Sequence, residues 1–178
     1  MNAAPKIWAY RGVFTLLGLM AIAYPILPQQ FSPERLPAPG LLFVLSIAWV
    51  VRQPLSAPFL LIAALALLAD AVLMRPMGLW AFLLLISSET VRFSHRSIQE
   101  RGLLMEFSMV AGMLVLMVLV QNLLLWASFS QSLDLARMLQ FVLLTLICYP
   151  VMVAFLHYVI RIRKPDHSNR PDRLGKIR

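Results

Sequence analysis

Residues 103–129 read LLMEFSMVAGMLVLMVLVQNLLLWASF, 27 positions with a single charge, Glu106. A helix that crosses a bilayer needs about 20 mainly apolar residues, so this stretch by itself points to a membrane. Two further runs meet the same length, roughly Ile7 to Leu27 and Met138 to Ile160. Between them lie three shorter apolar stretches, roughly Gly40 to Val51, Pro58 to Met74 and Met77 to Val91. The composition agrees: of 178 residues 60% are hydrophobic and 13% charged, against about 45–50% and 25% in soluble domains. One core of this size cannot bury so much apolar side chain. The chain reads as an all-α, polytopic membrane bundle of about six transmembrane helices, residues 1–160, followed by a basic tail, 161–178. The shorter runs borrow flanking residues or sit where the bundle thins the bilayer.

The connections follow from proline and from charge. Pro28, Pro33, Pro37 and Pro39, with Gly40, make an extended connector after the first span. Arg75 and Pro76 alone separate the third and fourth runs, which predicts a tight helical hairpin. The net charge of +8 is distributed by side. Alternating six spans puts thirteen of the sixteen basic residues on the side of the termini and leaves Arg35, Arg75 and Arg137 on the other. Lys and Arg hold loops in the cytoplasm, so both termini are expected there. No basic face interleaves with stacking aromatics, which argues against nucleic acid. The tail begins Arg161-Ile162-Arg163-Lys164, basic residues placed to contact anionic lipids. Ala21-Ile22-Ala23 has the small-x-small form cut in signal peptides, but a polytopic chain needs no removable signal, and the first span is expected to stay. Cys148 lies alone in an apolar run and reads as a packing thiol.

Ionisable groups at membrane depth are the best pointers to function. Asp70 costs about 2.5–3.5 kcal/mol near a span centre, and the third run's nine Leu, Ile, Val and Phe residues return about 3–5 kcal/mol. Three readings stay open for it: an end anchor paired with Arg75 or Arg137, a contact inside the bundle or with a partner helix, and proton or ion translocation. Glu89 and Arg92 stand i,i+3 on one helical face. Arg11 and Glu106 belong at similar depth, so Arg11, Glu89, Arg92 and Glu106 are expected to form an inner polar cluster that fixes helix rotation. The string Glu89-x-x-Arg92-x-x-His95 bears a thin likeness to intramembrane proteases, but the zinc-type His-Glu-x-x-His and the Gly-x-Ser-x-Gly arrangements are absent. No catalytic, metal or cofactor site is expected. Met105, Met109, Met113 and Met117 recur every fourth residue, a stripe drifting about 40° per step. It reads as packing or, more sharply, as a docking face for a partner's helix.

From Pro39 an apolar run leads to Trp49; Asp70 follows twenty-one residues later, and Gly78-Leu79 comes eight beyond. This order resembles the rod shape-determining protein MreD family, with its proline before the second span, an aromatic ending that span, and an Asp then Gly across the next hairpin. The chain departs from the family in the third span, where Ala63, Ala64, Ala66 and Ala69 stand in place of frequent glycines; small residues still allow close helix approach. The Glu89–Arg92 pair is not carried over. The resemblance implies a non-catalytic scaffold of the wall-elongation machinery in the bacterial inner membrane. It would bind the single-span protein MreC and, indirectly, actin-like MreB and peptidoglycan synthases. Asp70, Gly78 and Trp49 then become helix-packing or partner-binding candidates, with Met105, Met109 and Met113 behind them. The resemblance also implies the six-helix fold of substrate-binding subunits of energy-coupling-factor transporters. The alternative function is a small-solute-binding membrane subunit of a transporter, with Gln121, Asn122 and Asp70 the few polar groups available to a ligand.

Overall fold

The computed structural model describes residues 3–26, 37–94, 102–127 and 135–158. The expected lipid-contact residues Arg161, Arg163 and Lys164 lie outside that set, as does His95. The described residues form six α-helices: α1 (Ala3–Ala23), α2 (Leu41–Arg52), α3 (Phe59–Val72), α4 (Leu79–Phe93), α5 (Gly102–Ala127) and α6 (Leu135–Tyr158), with a short 3-10 turn, Tyr24–Ile26, after α1. No strand occurs among them.

Three stretches are long and apolar enough to cross a membrane: Ile7–Ile26, Leu104–Ala127 and Leu135–Tyr158. The other three helices have 12, 14 and 15 residues. At 1.5 Å per residue they reach only about 18–23 Å, short of a hydrocarbon core of about 30 Å. Length alone therefore supports three spans, against the six of the charge alternation. Local sequence sets these limits. Pro39 and Gly40 precede α2, and Pro54 ends it two residues beyond Arg52, since the residue before a proline avoids helical backbone. Pro58, extended at ψ 150°, starts α3, and Gly78 starts α4.

The shortest helix occupies the centre. Every residue from Leu42 to Arg52 is buried, with α1, α4 and α6 packed around it. A helix apolar all round belongs inside a bundle, which is why eleven nearly uninterrupted apolar positions are tolerated in a piece too short to span. Phe14 of α1 meets Trp49 of α2 edge-on at 5.3 Å between ring centres. Gly18 lets α1 close on α3: a Cβ there would come 2.7 Å from Leu65 Cδ1. The long helices bury one stripe each. On α5 it is Glu106, Val110, Leu114, Met117 and Val118, while Leu116, Leu119 and Leu123 stay exposed. On α6, Leu139, Leu143, Ile147 and Val151 face outward. Contiguous exposed apolar surface of this extent is foreign to a soluble monomer and is what lipid contact requires.

Candidate functional site

Asp70, in the last turn of α3, is wholly buried, at 0% exposure. Its Oδ2 accepts hydrogen bonds from the Gly78 N–H at 3.0 Å and the Ala81 N–H at 3.2 Å. The first N–H groups of a helix have no partner within it, and a carboxylate there also meets the favourable end of the helix dipole. Asp70 is thus a capping residue delivered from the preceding helix. Gly78 holds φ at +87°, the left-handed region where a side chain is strained. The eight-residue interval in the sequence spans the turn needed to bring these two groups together.

The same end of the bundle carries a chain of contacts back to α6. The Arg75 guanidinium lies 5.2 Å from the Trp80 ring centre. Burial pushes the Arg75 pKa below its usual value and the Asp70 charge opposes this; an arginine keeps its proton either way. Trp80 meets Phe141 edge-on at 5.9 Å. One turn further along α6, Thr145 Oγ1 accepts from the Gly40 N–H at 3.0 Å and donates to the Phe141 carbonyl. Gly78→Ala is expected to cost about 1–2 kcal/mol, through φ alone, because open space surrounds its Cβ position. Gly112→Ala in α5 has equal room and helical backbone, so it should be neutral or stabilising by up to about 1 kcal/mol. Paired thermal unfolding in detergent checks the opposite signs.

A second polar constellation sits at the other end. Arg52, at the end of α2, is 4% exposed and Glu106, near the start of α5, is 1% exposed; Nη1 and Oε1 are 3.2 Å apart. The Tyr149 hydroxyl donates to the same Oε1 at 2.6 Å, and Arg52 Nη1 also donates to the Ala48 carbonyl at 2.9 Å. Three helices are thereby joined through one carboxylate. Beside them the Trp49 indole N–H donates to Ser56 Oγ at 2.9 Å, and Ser56 donates to the Gln53 carbonyl. These bonds order the turn between α2 and α3. Arg92 Nη2 reaches across from α4 to the Ala57 carbonyl at 2.6 Å.

The four side chains expected as one inner cluster have these partners. Glu89 and Arg92 pair at 3.5 Å on α4, each more than a quarter exposed, an ion pair worth about 0–1 kcal/mol. The Arg11 guanidinium lies 5.0 Å from the centre of the Trp8 ring on its own helix. Glu106 is engaged by Arg52 and Tyr149, neither of which the sequence reading had singled out. The available signal for Arg52 is its position at the end of an otherwise apolar run, with two runs, an out-and-back pair, between it and the lone acid of the fifth stretch.

Trp49 and Asp70 are enclosed by this chain's own helices, so they pack the bundle and offer no surface to a partner. The methionine stripe rotates as its spacing requires: Met105 is 43% exposed, Met109 and Met113 are half-buried, and Met117 is 2% exposed. Gln121 and Asn122 are half-buried, with Asn122 donating to the Val118 carbonyl. No group of three metal-ligating side chains occurs among the described residues. A cavity of about 610 Å³ opens between α5 and α6, with Arg52, Glu106 and Tyr149 along its inner wall. No protein-family model, curated protein or solved structure matches the chain.

Proposed function

We propose that this chain is a non-catalytic scaffold of the bacterial inner membrane, of the MreD kind, which binds the transmembrane helix of MreC. Through MreC it meets MreB and the peptidoglycan synthases and so keeps wall synthesis on the lateral wall. The observation that supports this reading best is the hydrogen bond from Gly78 to Asp70, 3.0 Å long. The two residues on which the resemblance turns meet in one hydrogen bond, which gives their spacing a structural reason. The outward faces of α5 and α6, apolar along their length, leave room for a partner helix beside a core that is already complete. In this reading all six helices lie within the membrane with both termini in the cytoplasm. That places Arg52, Glu89 and Arg92 on the cytoplasmic side and Arg75 on the opposite one.

Depleting the protein from rod-shaped host cells is expected to round them, and affinity purification in mild detergent is expected to bring down the single-span, coiled-coil partner. Unchanged rods together with no such partner would falsify the scaffold reading.

A further inference from the structure

The hairpin of α3 and α4 is too short for the bilayer that α5 and α6 fit. Its helices have 14 and 15 residues, about 21–23 Å of rise, whereas α5 and α6 have 26 and 24 residues, about 36–39 Å. A short apolar run can borrow flanking residues, let its end charges reach outward, pair with a second copy, or meet a thinner bilayer. Local structure removes the first two. Pro58 is extended immediately before α3. After α3, Met74 takes a left-handed φ of +50°. The Met74 and Arg75 N–H groups turn back to the Ala71 and Asp70 carbonyls, the closure that ends a helix. Pro76 and the left-handed Gly78 then precede α4. The end charges are tied down as well. Arg75 lies against Trp80, and Arg92 is held by Glu89 and by the Ala57 carbonyl.

The same hairpin faces outward. Leu60, Leu67, Val72, Phe82 and Ile86 are exposed along it, a surface that calls for lipid. On α4 this apolar face stops at Glu89, Thr90 and Arg92, which are half-buried or exposed. Both α4 and α6 run from the Asp70 end of the bundle towards the Arg52 end, and the contact between Trp80 and Phe141 fixes their relative height. Six residues of α6 precede Phe141 and 17 follow it, against one and 13 for Trp80 in α4. At 1.5 Å per residue, α6 overhangs α4 by about 6–8 Å at each end. The short hairpin is therefore centred on the long helix, and its shortfall is shared between the two membrane surfaces.

We propose that the α3–α4 face is a lipid contact surface that pinches the bilayer to a hydrocarbon thickness of about 21–23 Å, against about 30 Å in an ordinary core. The lipids it takes are those with short acyl chains, about 12–14 carbons where about 18 fill the ordinary core. The proposal rests on the reading that all six helices lie in the membrane. Because α5 and α6 meet bilayer of full thickness, a gradient of thickness surrounds the protein. Mismatch of this kind sorts membrane proteins towards thin bilayer.

The test measures depth at matched heights. Cys148→Ser leaves the chain without a thiol, with Cys148→Ala in its place should that variant misfold. Met77→Cys and Phe93→Cys then carry a nitroxide at the two ends of the hairpin, and Leu139→Cys and Phe155→Cys carry it on α6. The paired positions lie within one residue of the same offsets from Trp80 and Phe141, and all four are exposed. The full chain is reconstituted in dimyristoleoyl-, dioleoyl- or dierucoylphosphatidylcholine. Electron paramagnetic resonance reads collisions with a water-soluble nickel chelate and with oxygen. In the dioleoyl lipid, nickel collisions at Met77 and Phe93 are expected about fivefold or more above those at Leu139 and Phe155. The contrast should shrink in the shorter lipid and grow in the longer one. Low nickel access at all four positions would overturn the thinning and leave the six-helix reading intact. A contrast independent of chain length would overturn it in favour of a water-filled cleft. Probes at Leu67 and Phe82, in the middle of the hairpin, are expected to meet oxygen and not nickel. Shielding from both reagents there would overturn the lipid face in favour of a second copy of the chain. High nickel access there would put the hairpin outside the hydrocarbon, which defeats the six-helix reading first and this proposal with it.

Discussion

Glu106→Ala is expected to destabilise the bundle by about 3–5 kcal/mol, the cost of removing one member of a buried ion pair. The side chain accepts from both Arg52 and Tyr149. Its loss leaves a guanidinium at 4% exposure with the Ala48 carbonyl as partner and, among the described residues, no second ion pair. Arg52→Ala strands the carboxylate instead and should cost a similar amount. Tyr149→Phe removes one hydrogen bond to a charged acceptor and should cost about 1.5–3 kcal/mol. The triple replacement Arg52→Met, Glu106→Leu, Tyr149→Phe is expected to recover most of the loss, because apolar groups of similar volume pack without the desolvation penalty. Equilibrium unfolding in mixed micelles, followed by tryptophan fluorescence, reads all four. Trp49 on α2 lies within one turn of Arg52 and reports the transition locally. A Glu106→Ala loss below about 1 kcal/mol would show that the triad does not hold α2 to α5 and α6.

The second large effect belongs to Asp70. Asp70→Ala strands the N–H groups of Gly78 and Ala81 at about 1–3 kcal/mol each where buried. It also removes a negative charge from the favourable end of α4. Asp70→Asn keeps a side-chain oxygen able to accept, and asparagine caps helices about as well as aspartate, so its cost should be less than half that of the alanine variant. Amide exchange at the start of α4 is the local readout: protection at residues 79–82 should collapse in Asp70→Ala and persist in Asp70→Asn. Equal loss in the two variants would indicate that the negative charge matters more than the cap, as an ion or a partner's cation would require.

These two sites also show what a sequence can disclose. Asp70 and Gly78 are close along the chain, and a helix, a turn and a helix start fix their geometry almost completely. Their spacing was therefore legible, and the structure adds the two hydrogen bonds that explain it. The triad is assembled from residues 52, 106 and 149. Apolar spacing gives each residue a depth but leaves the rotation of its helix and the identity of its neighbour undetermined. Depth alone groups Glu106 with Arg11 and with the Glu89–Arg92 pair, and it gives Arg52 only the role of an orienting charge. Helix limits fared likewise. Prolines at 39, 54 and 58 and the glycine at 78 mark the ends of α2 to α4, but the alternation of charges carries no information on helix length. The resulting helices are too short to span unaided. The nearly uninterrupted apolar run of α2 fits a lipid-facing span as well as a buried centre, and the cavity beside Tyr149 depends on how two helices diverge, for which no local pattern exists.

The claim that a partner helix lies on the outward surface is tested most directly by a photo-crosslinking scan in living cells. The probe is placed in turn at Leu16, Leu116, Leu123, Leu143 and Ile147, all exposed and apolar, with buried Phe14 as the internal control. The account predicts adducts to one single-span protein with a coiled-coil domain outside the cytoplasm. They should cluster at positions sharing one helix face and be absent at Phe14. Adducts to lipid alone at every exposed position would contradict it.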